Sequence, residues 1–131
     1  MTEEQDKQVQ QEINKAINFL GQNKFVEAEN TCLKVLELGD NADAFHILSS
    51  IKIYQQEFED SIKYVKKSID INNENPGYHV TLGCAYSAKQ DYESSIQAFK
   101  NAININSKIA QVHFYLGESY RKLKKYNDAI S

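Results

Sequence analysis

The feature that most restricts the fold of this sequence is a self-match at a period of 34 residues. Phe25, Phe58, Tyr92 and Tyr126 are separated by 33, 34 and 34 residues, and a small side chain follows each three positions later: Ala28, Ser61, Ser95 and Ala129. A second register places Leu48-Ser49, Leu82-Gly83 and Leu116-Gly117 one period apart, with Tyr86 and Tyr120 at a fixed distance after the last two pairs. Leu38, Ile71 and Ile105 form a third. Agreement of three registers means that each unit is one supersecondary element that buries its apolar face by stacking on the next.

Each unit reads as two helices. Phe58, Ile62, Val65 and Ile69 step by 4, 3 and 4, and Tyr92, Ile96, Phe99 and Ile103 repeat those steps. Such a stripe is one face of a helix of about fourteen residues, roughly 20 Å long. A second stripe runs from Tyr78 to Lys89 and stops at the polar break Gln90-Asp91. Gly83, Ala102, Gly117 and Ala129 fall where two helices must approach closely, and Gly83 and Gly117 are expected at the contact inside a hairpin. Thr2 to Gln5 fits a capping box, and Val9, Ile13, Ala16, Ile17 and Leu20 extend the first helix beyond the length of its counterparts. Asn75-Pro76 starts another helix, with Asn75 as cap and Pro76 in the first turn.

Charge and motifs narrow the function. Fifteen basic against eighteen acidic residues leave a net charge of −3, which argues against nucleic-acid phosphate or an anionic membrane as the partner. All the basic residues are Lys except Arg121. Cys32 and Cys84 share no metal-ligand spacing and make no disulfide framework, so reduced thiols in a cytoplasmic protein are expected. The acidic, polar start is no signal peptide, and no apolar run has membrane-spanning length. Without a Gly-rich phosphate loop, paired catalytic carboxylates or zinc spacing, the chain is expected to hold no catalytic, cofactor-binding or metal-binding residue and to need no cofactor. His79 and His113, one period apart, read as packing residues. Lys63, Lys66 and Lys67, and Lys122, Lys124 and Lys125, read as solvated faces.

The segment Leu82-Gly83-Cys84-Ala85-Tyr86, followed by Tyr92 with Ser95 and Phe99 with Ala102, resembles the tetratricopeptide repeat. His113 to Tyr120, then Tyr126 and Ala129-Ile130, matches a second time. Residues 42–75 match more loosely, with Ser49, Ser61 and Ser68 at small positions and Lys52 where an aromatic is usual. In the first unit Lys15-Ala16 replaces Leu-Gly, although Phe19, Phe25, Ala28 and Leu38 fit. The family's unit-ending Pro is replaced by Asp40, Asn73 and Ser107, whose side chains are expected to cap the following helix.

The resemblance implies an all-α, right-handed superhelical solenoid of stacked antiparallel hairpins, about three and a half repeats long, with units at 9–41, 42–75, 76–109 and 110–131. In the last unit Tyr126 is expected to open a second helix that Ser131 cuts short, so the chain reads as the N-terminal part of a longer protein. Val112, Leu116 and Tyr120 would then face the missing helix. The first helix of each unit would line a concave groove of Ile13, Asn14, Ile17 and Leu20, then His46, Ile47, Ser50 and Tyr54, then Val80, Thr81, Cys84 and Ala88, then Phe114, Tyr115 and Glu118. That lining is largely apolar and uncharged, which points to a protein or peptide partner bound by surface complementarity. Relatives that clamp acidic chaperone tails place Lys, Asn and Arg where Ile13, Ile17, Ile47, Gly77 and Thr81 stand here. Those of O-linked sugar transferases carry an asparagine ladder, of which only Asn14 remains beside Ile47, Thr81 and Tyr115. Two other readings stay open: the recognition arm of a larger sugar- or group-transfer enzyme, and a self-assembling module that pairs through the groove or its C-terminal face.

Overall fold

The structure, a computed structural model, describes residues 2–130; Met1 and Ser131 lie outside the described residues. Seven helices account for almost all of it: α1 Glu3–Gly21, α2 Phe25–Glu37, α3 Ala42–Tyr54, α4 Phe58–Ile71, α5 Pro76–Ala88, α6 Tyr92–Ile105 and α7 Ala110–Ile130. Consecutive helices pack as hairpins, and α1 also meets α3, as α3 meets α5, so the first helices of successive units form one wall.

Local chemistry sets the boundaries. At the start of α1 the Gln5 amide donates to Thr2 Oγ1 at 3.1 Å while the Thr2 amide donates to Gln5 Oε1 at 2.9 Å, which completes the capping box. Each hairpin then closes on a non-glycine residue in the left-handed region: Asn23 at φ 61°, Gln56 at 62° and Gln90 at 68°. The next amide reaches back five residues in all three, Lys24 to the Phe19 carbonyl, Glu57 to Lys52 and Asp91 to Tyr86, at 2.8–2.9 Å. This is the Schellman closure, which satisfies carbonyls that a helix end leaves bare.

Between units the caps are Asn41, which accepts from the Ala44 amide at 2.9 Å, and Asn75, which accepts from Gly77 at 2.9 Å with Pro76 opening α5. Asp40, Asn73 and Ser107 therefore do not cap as expected; the cap falls one or two residues later in the first two junctions. The Asn73 and Ser107 carbonyls have another use. His79 Nε2 donates to the first at 3.1 Å and His113 Nε2 to the second at 2.8 Å, so both histidines fasten the inter-unit loops; His79 is also buried as a packing residue, whereas His113 is exposed and does not pack as expected.

The core follows the small positions. Val9, Ile13, Ala16, Ala28, Cys32, Val35, Ala44, Ile47, Leu48 and Ile51 form one buried cluster, and Phe99, Ala102 and Val112 another. Gly83 lets the Phe99 ring lie on its backbone: a Cβ there would meet Phe99 Cε1 at 2.5 Å. At the matching place one unit earlier, Ser49 Oγ bonds the Ser61 carbonyl at 2.8 Å and its Oγ at 2.9 Å. Some of the outer lysines lie over aromatic rings. Lys66 lies 5.8 Å from the Tyr86 ring and Lys100, one period later, 5.7 Å from Tyr120, both within cation–π range.

The last unit departs from expectation. α7 is one helix of 21 residues; Tyr126 opens no second helix and no turn falls near Lys124. Lys124 holds the register place of Asn23, Gln56 and Gln90, where a left-handed residue costs about 1–2 kcal/mol. That cost is offset only if the second helix docks, and Tyr126 to Ile130 is too short to nucleate one, whereas lengthening α7 needs no nucleus. Val112 is buried beside Phe99 and Ala102 rather than lying on an open face, and Leu116 is half-buried against the same cluster. Tyr120 stays 46% exposed. Gly117, unlike Gly83, has no atom within 4 Å of where a Cβ would stand, so it marks no helix contact.

Candidate functional site

The wall of first helices carries the residues expected to line a groove, and they divide into three groups. Ile13 and Ile47 are 1% and 5% exposed and belong to the first core cluster, so both leave the groove. Ile13 is adjacent in sequence to the exposed Asn14, and one residue along a helix turns a side chain by about 100°; Ile47 lies between the half-buried His46 and the buried Leu48. Asn14 is exposed and accepts from Gln10 Nε2 at 3.1 Å, while Ile17 is 51% exposed.

A polar join sits where α3 meets α5. His46 Nε2 and Thr81 Oγ1 are 2.8 Å apart, the His46 ring meets the Tyr78 ring edge-on at 5.0 Å, and the Tyr78 hydroxyl donates to Asp43 Oδ1 at 2.9 Å. Burial lowers the His46 pKa against the opposing pull of Asp43, which keeps the imidazole neutral. Burial, and then the bond to Asp43, raise the Tyr78 hydroxyl to about 12. His46 and Thr81 thus satisfy each other and hold the two helices in register. Ser50 is half-buried beside them in sequence, and Tyr54 stacks on Phe25 at 5.2 Å while remaining largely exposed.

The third group comes together in a cavity. Between α5 and α7 lies a concave space of about 380 Å³ lined by Cys84, Ser87, Ala88, Phe99, Phe114, Tyr115, Glu118 and Lys122. Cys84, Ala88, Phe114, Tyr115 and Glu118 are among the residues expected from the sequence to line the groove. Ser87, Phe99 and Lys122 are not: Phe99 belongs to α6 and reaches the cavity only because Gly83 leaves room for its ring. Val80 packs against the same cluster. Tyr115 rests on Phe99 at a ring separation of 5.6 Å, and its hydroxyl accepts from Gln111 Nε2 at 2.7 Å. Phe114 is 65% exposed, a large apolar ring at the cavity's edge. Burial raises the Cys84 thiol pKa, so the sulfur contributes a neutral, largely apolar surface to the lining.

Glu118 closes one side of the cavity through a two-point pair with Arg121, Nη2 to Oε2 at 2.7 Å and Nε to Oε1 at 3.2 Å. That hydrogen bond is the first cause holding the Glu118 carboxyl below its ordinary value. No group of three His, Cys, Asp or Glu side chains among the described residues is arranged to hold a metal. No described helix is long and apolar enough to cross a membrane.

Stacked helical hairpins, with the first helix of each lining one wall and Schellman turns between partners, define a helical-repeat protein. A family model described as TPR repeat matches residues 83–124, and one described as tetratricopeptide repeat matches 42–75. The chain belongs to the tetratricopeptide-repeat family. No curated protein sequence matches it significantly.

Solved structures share the fold at low identity. An O-GlcNAc transferase from Thermobaculum terrenum matches at 18% identity and a TM-score of 0.85, over 91% of this chain but only 23% of the transferase. The TPR domain of Sgt2 from Aspergillus fumigatus matches at 12% identity and 0.86, over 95% of this chain and 84% of that one. The first TPR of Spaghetti (RPAP3), solved bound to an HSP90 peptide, matches at 15% and 0.84, over 90% of this chain and 94% of that one.

Proposed function

We propose that this chain is a non-catalytic protein-interaction module that grips a segment of a partner polypeptide in its concave groove, with the cavity between α5 and α7 as the anchor. The observation that carries the reading is the exposed Phe114 ring beside a floor of Phe99, Tyr115, Cys84 and Ala88. A cavity of about 380 Å³ is at the small end for ligand sites and suits a bulky side chain of a longer segment. Burying one such side chain contributes about 1.5–3 kcal/mol. The peptide held by the Spaghetti domain supports the class of partner. Ile13 and Ile47, buried here, argue that the tail-clamping chemistry of chaperone-binding relatives is not reproduced.

Selection of binders from a random dodecapeptide library on the immobilised chain tests this. Enriched peptides should lose at least about tenfold in affinity to Phe114→Glu, the equivalent of 1.4 kcal/mol, while thermal unfolding stays unchanged, because the ring is exposed. Phe114 is a better probe than Tyr115, whose packing on Phe99 would confuse binding with folding. Peptides that bind the Phe114→Glu chain equally well would place the site elsewhere.

A further inference from the structure

The polar groups of the groove are bonded to one another. Near its N-terminal end Gln10 Nε2 donates to Asn14 Oδ1 at 3.1 Å. At the middle joint the Tyr78 hydroxyl donates to Asp43, and His46 holds Thr81. At the far end Gln111 donates to the Tyr115 hydroxyl. Gln10, Asp43 and Gln111 stand at one place of the repeat and Asn14, Thr81 and Tyr115 at another, so the wall turns its hydrogen bonds inward unit after unit. Charge is balanced in the same way: Glu118 bonds Arg121 and also lies in the field of Lys122 and Lys125.

The rest of the lining is apolar. Cys84 and Ala88 floor the cavity beside Phe114. Ile17 holds the place of Cys84 two units earlier and Tyr54 that of Ala88 one unit earlier, and they are 51% and 66% exposed. The apolar track therefore continues from the cavity onto α3 and α1. An extended segment carries an unpaired amide and carbonyl at every residue, and those turned to this wall would lose water without gaining a partner. The Ser50, Ser87 and Tyr54 hydroxyls, which make no side-chain hydrogen bond among the described residues, are too few to replace it. A helix arrives with its backbone already bonded and needs only apolar contact from the wall. Resting on the groove reading above, we infer that the partner segment binds as an amphipathic α-helix whose contacting face is apolar and uncharged. Its stripe lies on Phe114, the cavity floor and the exposed Ile17 and Tyr54. A charge on that face would lose water opposite groups that are already paired.

Peptides enriched from the random dodecapeptide library on the native chain test the inference. Their apolar residues should recur every three or four positions, the spacing of one helix face. Circular dichroism should show helix gained when peptide and chain are mixed. A dodecapeptide is too short to hold a helix alone, so α-aminoisobutyrate at its solvent-side positions should tighten binding by pre-organising it. Proline at any central position should weaken binding about tenfold or more. Affinity should change less than about twofold between low and high salt. Apolar residues that alternate, tolerance of central proline, or a steep loss in salt would overturn the helical reading. The groove reading stands in those cases as long as Phe114→Glu still abolishes binding. Peptides whose binding ignores Phe114→Glu, or no enrichment on the native chain at all, would overturn both.

Discussion

Adding a single methyl group at Gly83 and at Gly117 separates the packing of a complete hairpin from that of an uncovered helix. At Gly83 the new Cβ would stand 2.5, 2.7 and 2.8 Å from three carbons of the Phe99 ring, closer than real side chains approach. Phe99 is 1% exposed and packed with Ala102 and Val112, so the ring has little room to withdraw. Overpacking of this kind costs about 1–3 kcal/mol. Both Gly→Ala changes gain about 0.8–1.0 kcal/mol of helix propensity, and at Gly117 nothing within 4 Å opposes that gain. The propensity term cancels in the difference, so Gly117→Ala should exceed Gly83→Ala in stability by about 1–3 kcal/mol. In melting temperature that is roughly 3–5 °C per kcal/mol for a chain of this size. Urea unfolding followed by circular dichroism and by tyrosine fluorescence measures the gap, with coincident curves guarding against unit-by-unit melting. Combining Gly83→Ala with Phe99→Leu should abolish most of the penalty in a double-mutant cycle. A Gly83→Ala chain as stable as Gly117→Ala, or a penalty unaffected by Phe99→Leu, would refute the ring-on-backbone contact.

Other substitutions probe separate devices. Ser49→Ala should cost about 1 kcal/mol by leaving the buried Ser61 hydroxyl without its 2.9 Å partner, and adding Ser61→Ala should cost less than the sum in chemical denaturation. Burial lifts the Cys32 thiol pKa to about 12 and leaves its side chain no exposure, whereas Cys84 is only half-buried, so an alkylating agent should label Cys84 first and reach Cys32 only on unfolding. A peptide seated in the groove should slow Cys84 labelling; mass spectrometry reads both rates. Because burial lowers the His46 pKa, the folded state binds fewer protons there than the unfolded chain does. Its stability contribution is complete above the ordinary histidine value near 6.5 and drains as pH falls below it. Unfolding measured from pH 7.5 to 5 should therefore slope less in His46→Gln, and an unchanged slope would count against the buried neutral imidazole.

The period of 34 located the helices because packing residues must recur wherever identical contacts recur. Phe25, Phe58 and Tyr92 do open α2, α4 and α6. It could not separate the groove from the core on one helix: Ile13 and Ile17 share a stripe, yet one is 1% and the other 51% exposed. The decisive variable is how neighbouring units cover the wall, which lies outside any one unit. Phe99 shows the same limit from the other side. Its stripe marks it as a packing residue of α6, and only the missing Cβ at Gly83 carries its ring through to the cavity floor. The fourth unit failed for a different reason, since a repeat signature at Tyr126, Ala129 and Ile130 specifies a docking surface but supplies too few residues to nucleate the helix that would use it.

A repeat therefore fixes the address of a contact more firmly than its chemistry. Lys52, Tyr86 and Tyr120 occupy one place in successive units, on α3, α5 and α7. In the later two a lysine of the preceding helix, Lys66 or Lys100, lies over the ring. In the earlier one the positive charge has moved onto the first helix itself, where Lys52 meets Glu29 of α2 at 3.4 Å and Glu57 at 3.3 Å. Burial tends to lower the Lys52 pKa, but bonding to Glu57 and the charge of Glu29 outweigh it and raise the ammonium's pKa. Each junction keeps one cation between helices and changes only which side supplies it.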